Sequence, residues 1–124
     1  MFRSLLLSAS LVLSSVLGVQ ALTPEEAAQH MGSEGAVDGV AVQVSEANGN
    51  MYVNLGAKFP NHTFSAFIAK ADVATVGLDY LKSLEGKPVS VVGRIADRKG
   101  KPQIQVTKKE QIILVAQPPP VPAK

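Results

Sequence analysis

Short runs of alternating side chains constrain this chain more than any other feature. Val40, Val42 and Val44 alternate with Ala41 and Gln43, and Val53 and Leu55 alternate with Tyr52 and Asn54. Phe64, Ala66 and Ile68 alternate with Ser65 and Phe67. The pattern returns with Val89, Val91 and Ile95 against Ser90, Val92 and Arg94, and with Ile104 and Val106 against Gln103 and Gln105. A period of two sends successive side chains to opposite faces of a strand, so each run predicts a strand with one apolar face. Asn48-Gly49 is a strong signal for a two-residue hairpin turn, and Lys99-Gly100 turns the chain a second time. The expected core is Val40, Val42, Val53, Leu55, Phe64, Ile68, Val89, Val91, Ile95, Ile104 and Val106.

Two segments depart from this period. In "TPEEAAQHMG", Thr23 can cap a helix, Pro24 suits its first position, Glu26 completes a capping box and Gly32 ends it. An N-terminal helix within residues 22–34 is therefore expected, with Glu25 and Glu26 favouring its positive end. In "KADVATVGLDYLKSLEGK", the spacing of Val73, Val76, Leu81 and Leu84 predicts one or two short helical turns split at Gly77. "QIILV" reads as a last short strand, and the proline-rich residues 117–124 read as an extended, exposed tail.

The first residues, "MFRSLLLSASLVLSSVLGVQA", have one cation, an apolar run and a small-residue end at Val19-Gln20-Ala21. They read as a secretory signal cut after Ala21, which predicts an exported chain, periplasmic or secreted, with no stable membrane insertion after cleavage. Without cysteine, disulfides, thiol catalysis and thiolate metal sites are excluded, and the barrel core of residues 35–116 has to supply the stability. Charge is uneven. Residues 22–85 carry three lysines against eight acids, net −5, whereas residues 86–124 carry eight cations against two acids, net +6. A basic half can serve a polyanion, or it can be a solvated face beside an acidic one.

Catalytic patterns are missing. His62 lies in a loop with Ser65 close by in sequence, but no serine sits in a Gly-x-Ser-x-Gly turn. His30 and His62 are the only histidines and lack metal-ligand spacing, and the acids form neither a paired-carboxylate nor a calcium-loop motif. No catalytic residue, metal or cofactor is expected, and the chain reads as a non-enzymatic binding module.

A helix between the third and fourth of five short strands is the arrangement of the OB-fold, a Greek-key barrel. The expected class is mainly β: a five-stranded OB-fold barrel with an N-terminal helix and a short helix between strands three and four. "YVNLGAKFPNHTFSAFI" followed by "LEGKPVSVVGRIADRKGKPQIQV" resembles a family of small exported bacterial OB-fold domains. The resemblance rests on Tyr52, Asn54, Leu55 and Gly56, on Phe59-Pro60, on Phe64 and Phe67, on Gly86-Lys87, on Val91 and Gly93, and on Lys99 to Ile104. The chain departs from the family in having Ala69 where relatives often carry tryptophan, and in lacking a cysteine near Asp38 or Gly39.

The resemblance implies nucleic-acid binding, with single-stranded nucleic acid as the ligand. The alternative is an envelope module whose extended partner is a protein or a glycan. The candidate ligand-binding residues are Tyr52, Asn54, Lys58, Phe67, Arg94, Arg98, Lys99 and Lys101. Tyr52 and Phe67 would present rings from adjacent strands beside Lys58, and the cations would form one basic patch extended by Lys108 and Lys109. Two readings of the 56–62 loop stay open: a turn fixed by Asn54, Gly56 and Pro60, or part of a site. The rings themselves could instead be covered by the N-terminal helix. Oligomeric state is not legible.

Overall fold

The computed structural model describes residues 21–115. The expected signal segment before Ala21 and the proline-rich tail lie outside the described residues. Strands β1 (Ala21–Leu22), β2 (Glu34–Ala47), β3 (Asn50–Leu55) and β4 (Phe64–Ile68) precede helices α1 (Lys70–Val76) and α2 (Leu78–Ser83). Strands β5 (Pro88–Arg98), β6 (Lys101–Gln105) and β7 (Ile112–Leu114) follow. The protein is mainly β, and its seven strands form one sheet. β2, β3 and β4 pair antiparallel in sequence, β4 pairs parallel with β6, β6 pairs antiparallel with β5, and β5 returns to β2. The hydrogen-bonded order of those five strands therefore returns to its start, although Gln43–Ala47 of β2 pair only with β3 and Ile95–Arg98 of β5 only with β6. β1 adds to β2 and β7 adds to β5. No helix among the described residues is long and apolar enough to cross a membrane.

Turn chemistry sets the hairpins. Ala47 faces Asn50 across a two-residue turn in which Asn48 has φ 56° and Gly49 φ 89°. Arg98 faces Lys101 across a second such turn, with Lys99 at φ 54° and Gly100 at φ 89°. Two successive positive φ values match the right-handed strand twist, and asparagine and glycine adopt them most readily. The interruption after β4 is helical and splits at Gly77, φ 105°, as its sequence predicts.

Two expectations are corrected. The N-terminal helix is a single 3₁₀ turn, Glu26–His30, rather than a helix filling residues 22–34. The capping box does form: Glu26 N–H donates to Thr23 Oγ1 at 3.1 Å, and Thr23 N–H donates to Glu26 Oε1 at 2.9 Å. The sheet claims both flanks, however. Leu22 pairs with Val37, while Gly32 N–H bonds Ile95 O at 2.6 Å and Ile95 N–H bonds Ser33 O at 2.9 Å. Too few residues remain for a longer helix.

The second correction is the phase of β2. Val40 is 40% exposed and Val42 is only half-buried, whereas Val37 and Ala41 are fully buried. A bulge is the cause: Ala41 faces Leu55 and Gln43 faces Asn54, leaving Val42 as the extra residue. An extra residue reverses which positions face inward, so Val37 and Ala41 point in before it and Val44 packs on the core after it. The other expected core residues, from Val53 to Val106, are fully buried. Val76, Leu81 and Leu84 join them from the helical segment. Tyr80 fastens that segment by donating its hydroxyl to Ile112 O at 2.7 Å, and burial raises its pKa above the ordinary tyrosine value.

Candidate functional site

The outward residues of β2, β3, β4 and β6 fall into two rows. Gln43 faces Asn54, Asn54 faces Ser65 and Ser65 faces Gln103, which makes a polar row across four strands. Ser45, Tyr52, Phe67 and Gln105 make the next row. The polar row is internally bonded: Asn54 Nδ2 donates to Gln43 Oε1 at 2.9 Å, and Gln103 Nε2 donates to Ser65 Oγ at 3.2 Å. In the second row the Tyr52 and Phe67 rings lie 5.2 Å apart, tilted by 53°.

The polar row is the floor of an open cleft of about 790 Å³. The β2–β3 hairpin, with Ser45, Glu46 and Ala47, walls one side, and Arg98, Lys99 and Lys101 of the β5–β6 hairpin wall another. The third wall is the β3–β4 loop with Phe59, Pro60 and His62. Gly56 starts this loop at φ 90°, close against Thr63: a Cβ there would lie 2.0 Å from Thr63 Oγ1. Gln43 Oε1 accepts a second hydrogen bond from Phe59 N–H at 2.8 Å, and Lys101 Nζ donates to the Pro60 carbonyl. The loop is thus tied to β2 on one side and to the basic hairpin on the other. The Phe59–Pro60 peptide bond is cis.

Phe59 is 68% exposed, and its ring stacks on His62 with centroids 5.7 Å apart and planes 25° apart. Burial, and then the Lys101 charge, lowers the His62 pKa below its ordinary value. His62 Nδ1 is enclosed without a hydrogen-bond partner. Among the described residues, no group of three or more His, Cys, Asp or Glu side chains could hold a metal ion.

Of the residues singled out from sequence, Tyr52, Asn54, Arg98, Lys99 and Lys101 line the cleft, and Phe67 adjoins it through Tyr52. Asn54 is only 2% exposed and is engaged by Gln43, so it belongs to the floor's own bonding. Lys58 and Arg94 do not line the cleft. Lys58 is exposed elsewhere on the loop, and Arg94 lies farther down β5, opposite Glu34 of β2. Nor do Lys108 and Lys109 extend the patch into it: Lys109 Nζ sits 4.5 Å from the centre of the Tyr80 ring. The 3₁₀ turn packs against β5 and β6 and contributes no residue to the cleft.

Sequence reasoning missed Gln43, Ser65 and Gln103 as site residues, and of the two readings left open for the 56–62 loop the structure places Phe59, Pro60 and His62 on the cleft wall. Gln43, Ser65 and Gln103 occupy outward positions on their strands, a signal present in the alternation. Their alignment depends on strand register, which alternation does not specify.

No family model matches the chain, and no curated protein matches it. Its likeness is to solved OB-fold structures. An OBody bound to hen egg-white lysozyme is 12% identical at a TM-score of 0.57, with 76% of this chain and 91% of that one covered. The aspartyl tRNA synthetase of Entamoeba histolytica is 14% identical at a TM-score of 0.56, with 89% of this chain and 24% of that one covered. The asparaginyl-tRNA synthetase of Pyrococcus horikoshii is 13% identical at a TM-score of 0.54, with 78% of this chain and 23% of that one covered. The chain spans about a quarter of the length of those synthetases, and at such identity the likeness is one of fold: an OB-like arrangement of strands.

Proposed function

We propose that this chain is an exported, non-enzymatic OB-fold module, in which five of the seven strands form a Greek-key barrel, and that it binds single-stranded nucleic acid in the cleft of its outer face. The observation that carries the reading is the joining of Phe59, His62 and Tyr52 with Arg98, Lys99 and Lys101 around one cleft. Rings can stack on bases whatever the sequence, and cations can meet the phosphates between them. The synthetases of similar fold, which act with tRNA by name, support this reading as analogy. Export rests on the leader that ends at Ala21, and cleavage there should give a mature protein whose mass and N-terminal peptide begin at Leu22.

Binding of short oligonucleotides at several salt concentrations tests the ligand class. Arg98→Gln and Lys99→Asn should each flatten the log–log salt dependence by about 0.7, the slope that one neutralised single-strand phosphate carries. Phe59→Ala should weaken binding by about 1–3 kcal/mol and leave that slope nearly unchanged. Absence of binding even at low salt sinks the nucleic-acid reading. An envelope protein or glycan is the second reading, and the OBody bound to lysozyme favours a protein, since there a similar fold holds one.

A further inference from the structure

The last described strand points toward the cleft. β7 is antiparallel to β5 and β5 is antiparallel to β2, so β7 runs in the same direction as β2. Val115 N–H bonds Pro88 O at 3.0 Å, and Pro88 faces Val40. Val115 is therefore level with Val40, two strand spacings or about 10 Å away. Beyond Val40, β2 enters the cleft: Gln43 belongs to its floor, and Ser45, Glu46 and Ala47 to its wall. β5 begins only at Pro88, so among the described residues Gln43–Ala47 have a strand on their β3 side alone. Val40 stands at the entrance to this open side and is 40% exposed.

From Val115 the sequence continues as "AQPPPVPAK", residues 116–124. Proline fixes φ and favours the polyproline helix, which rises about 3.1 Å per residue, so this segment can span about 28 Å. Gln43 lies about 10 Å along β2 and about 10 Å across from Val115, or about 14 Å in all. The tail therefore has about twice the reach it needs. Proline-rich segments dock on exposed aromatic rings at low entropic cost, because they are already extended. The cleft presents Phe59, 68% exposed and stacked on His62, together with Tyr52. Charge agrees with this occupant. Residues 116–123 are uncharged and so indifferent to the basic hairpin, and Lys124 is within reach of the exposed Glu46 on the β2 wall.

We propose that the chain's own proline-rich tail is a ligand of the cleft: residues 118–122 cross the open side of β2 and lay their rings against Phe59, in the place a nucleic acid would take. The contact does not depend on the nucleic-acid reading. Where both hold, the tail competes with the oligonucleotide.

The chain has no cysteine, so Ala123→Cys accepts a single nitroxide label. In nitrogen-15-labelled protein spanning residues 22–124, the label should broaden the amide signals of Ser45, Glu46 and Phe59. It should spare Glu34 and Arg94, at the far end of the β2–β5 pairing. Replacing Pro118, Pro119, Pro120 and Pro122 together by serine should reduce the broadening at Ser45 and Glu46, and Phe59→Ala should do the same. Broadening confined to the surroundings of Val40, or unaffected by both changes, overturns the proposal. Equal broadening of an isotope-labelled chain by a separate nitroxide-labelled chain assigns the tail to a second copy and overturns the contact within one molecule. A tail docked for about 80% of the time lowers apparent affinity about fivefold, so the four-serine variant should bind a short oligonucleotide about fivefold more tightly than wild type. Binding of equal strength by the two proteins overturns the shared site. The nitroxide measurement needs no oligonucleotide: broadening in the cleft with no oligonucleotide binding by either protein upholds the tail contact and sinks the nucleic-acid reading alone.

Discussion

Gln43 holds the cleft together through one oxygen atom, and replacing it should be disproportionately damaging for a half-exposed residue. Gln43→Ala removes the bonds from Asn54 Nδ2 and Phe59 N–H. Each ordinary hydrogen bond contributes about 0.5–1.5 kcal/mol net, and a buried donor left unpaired costs about 1–3 kcal/mol. Asn54 is 2% exposed, so its amide inherits that penalty, whereas Phe59 N–H is exposed and can turn to water. The expected loss is about 2 kcal/mol, equivalent to roughly 10 °C in Tm for a domain of this size. Urea unfolding should show a lower midpoint at unchanged slope. Gln43→Glu keeps an acceptor for both donors and should recover most of the loss. In a double-mutant cycle, Gln43→Ala and Asn54→Ala should couple by about 1 kcal/mol or more, since the second change removes the group that the first strands. A Gln43→Ala loss under about 0.5 kcal/mol, or additive effects in the cycle, would show that the row is not bonded as described.

Three further expectations follow from the geometry. Gly56→Ala combines a φ of 90° with a Cβ only 2.0 Å from Thr63 Oγ1, so it should destabilise the fold by about 2 kcal/mol or more and loosen the Phe59 loop; an unchanged urea midpoint refutes it. Phe64→Ala empties a fully buried position and should cost about 3–5 kcal/mol, and an effect no larger than that of a surface change refutes the register of β4. His62 is held below its ordinary pKa of 6.5, so the unfolded chain binds its proton more readily. Its contribution to stability is therefore present above that value and is lost as pH falls through it toward the lower folded value. The stability of wild type relative to His62→Gln should decline on acidification through that window, and a pH-independent difference contradicts the assignment.

The strands, the turns and the split helical segment were legible in the residues because each depends on local stereochemistry. Asn48, Gly49 and Gly100 occupy the positive-φ turn positions that their chemistry favours, Lys99 shares its turn at φ 54°, and Gly77 separates α1 from α2. Thr23 and Glu26 form the capping box that their spacing foretells. Alternation also identified the buried face of β3, β4, β5 and β6.

Contacts between distant segments decided the rest. The bulge at Val42 is visible only against β3, and it moved Val40 from the expected core to the surface. The N-terminal helix shrank because pairing at Leu22 and bonding at Gly32 and Ser33 outweighed a local preference. The site changed for the same reason. Arg94 and Arg98 share β5, yet only Arg98 reaches the cleft. Gln43, Asn54, Ser65 and Gln103 become one row only through the pairings of β2 with β3, β3 with β4, and β4 with β6. Side-chain period and turn type are set by neighbours along the chain and can be read there; register is set by which strands pair, and that choice belongs to the closed core as a whole.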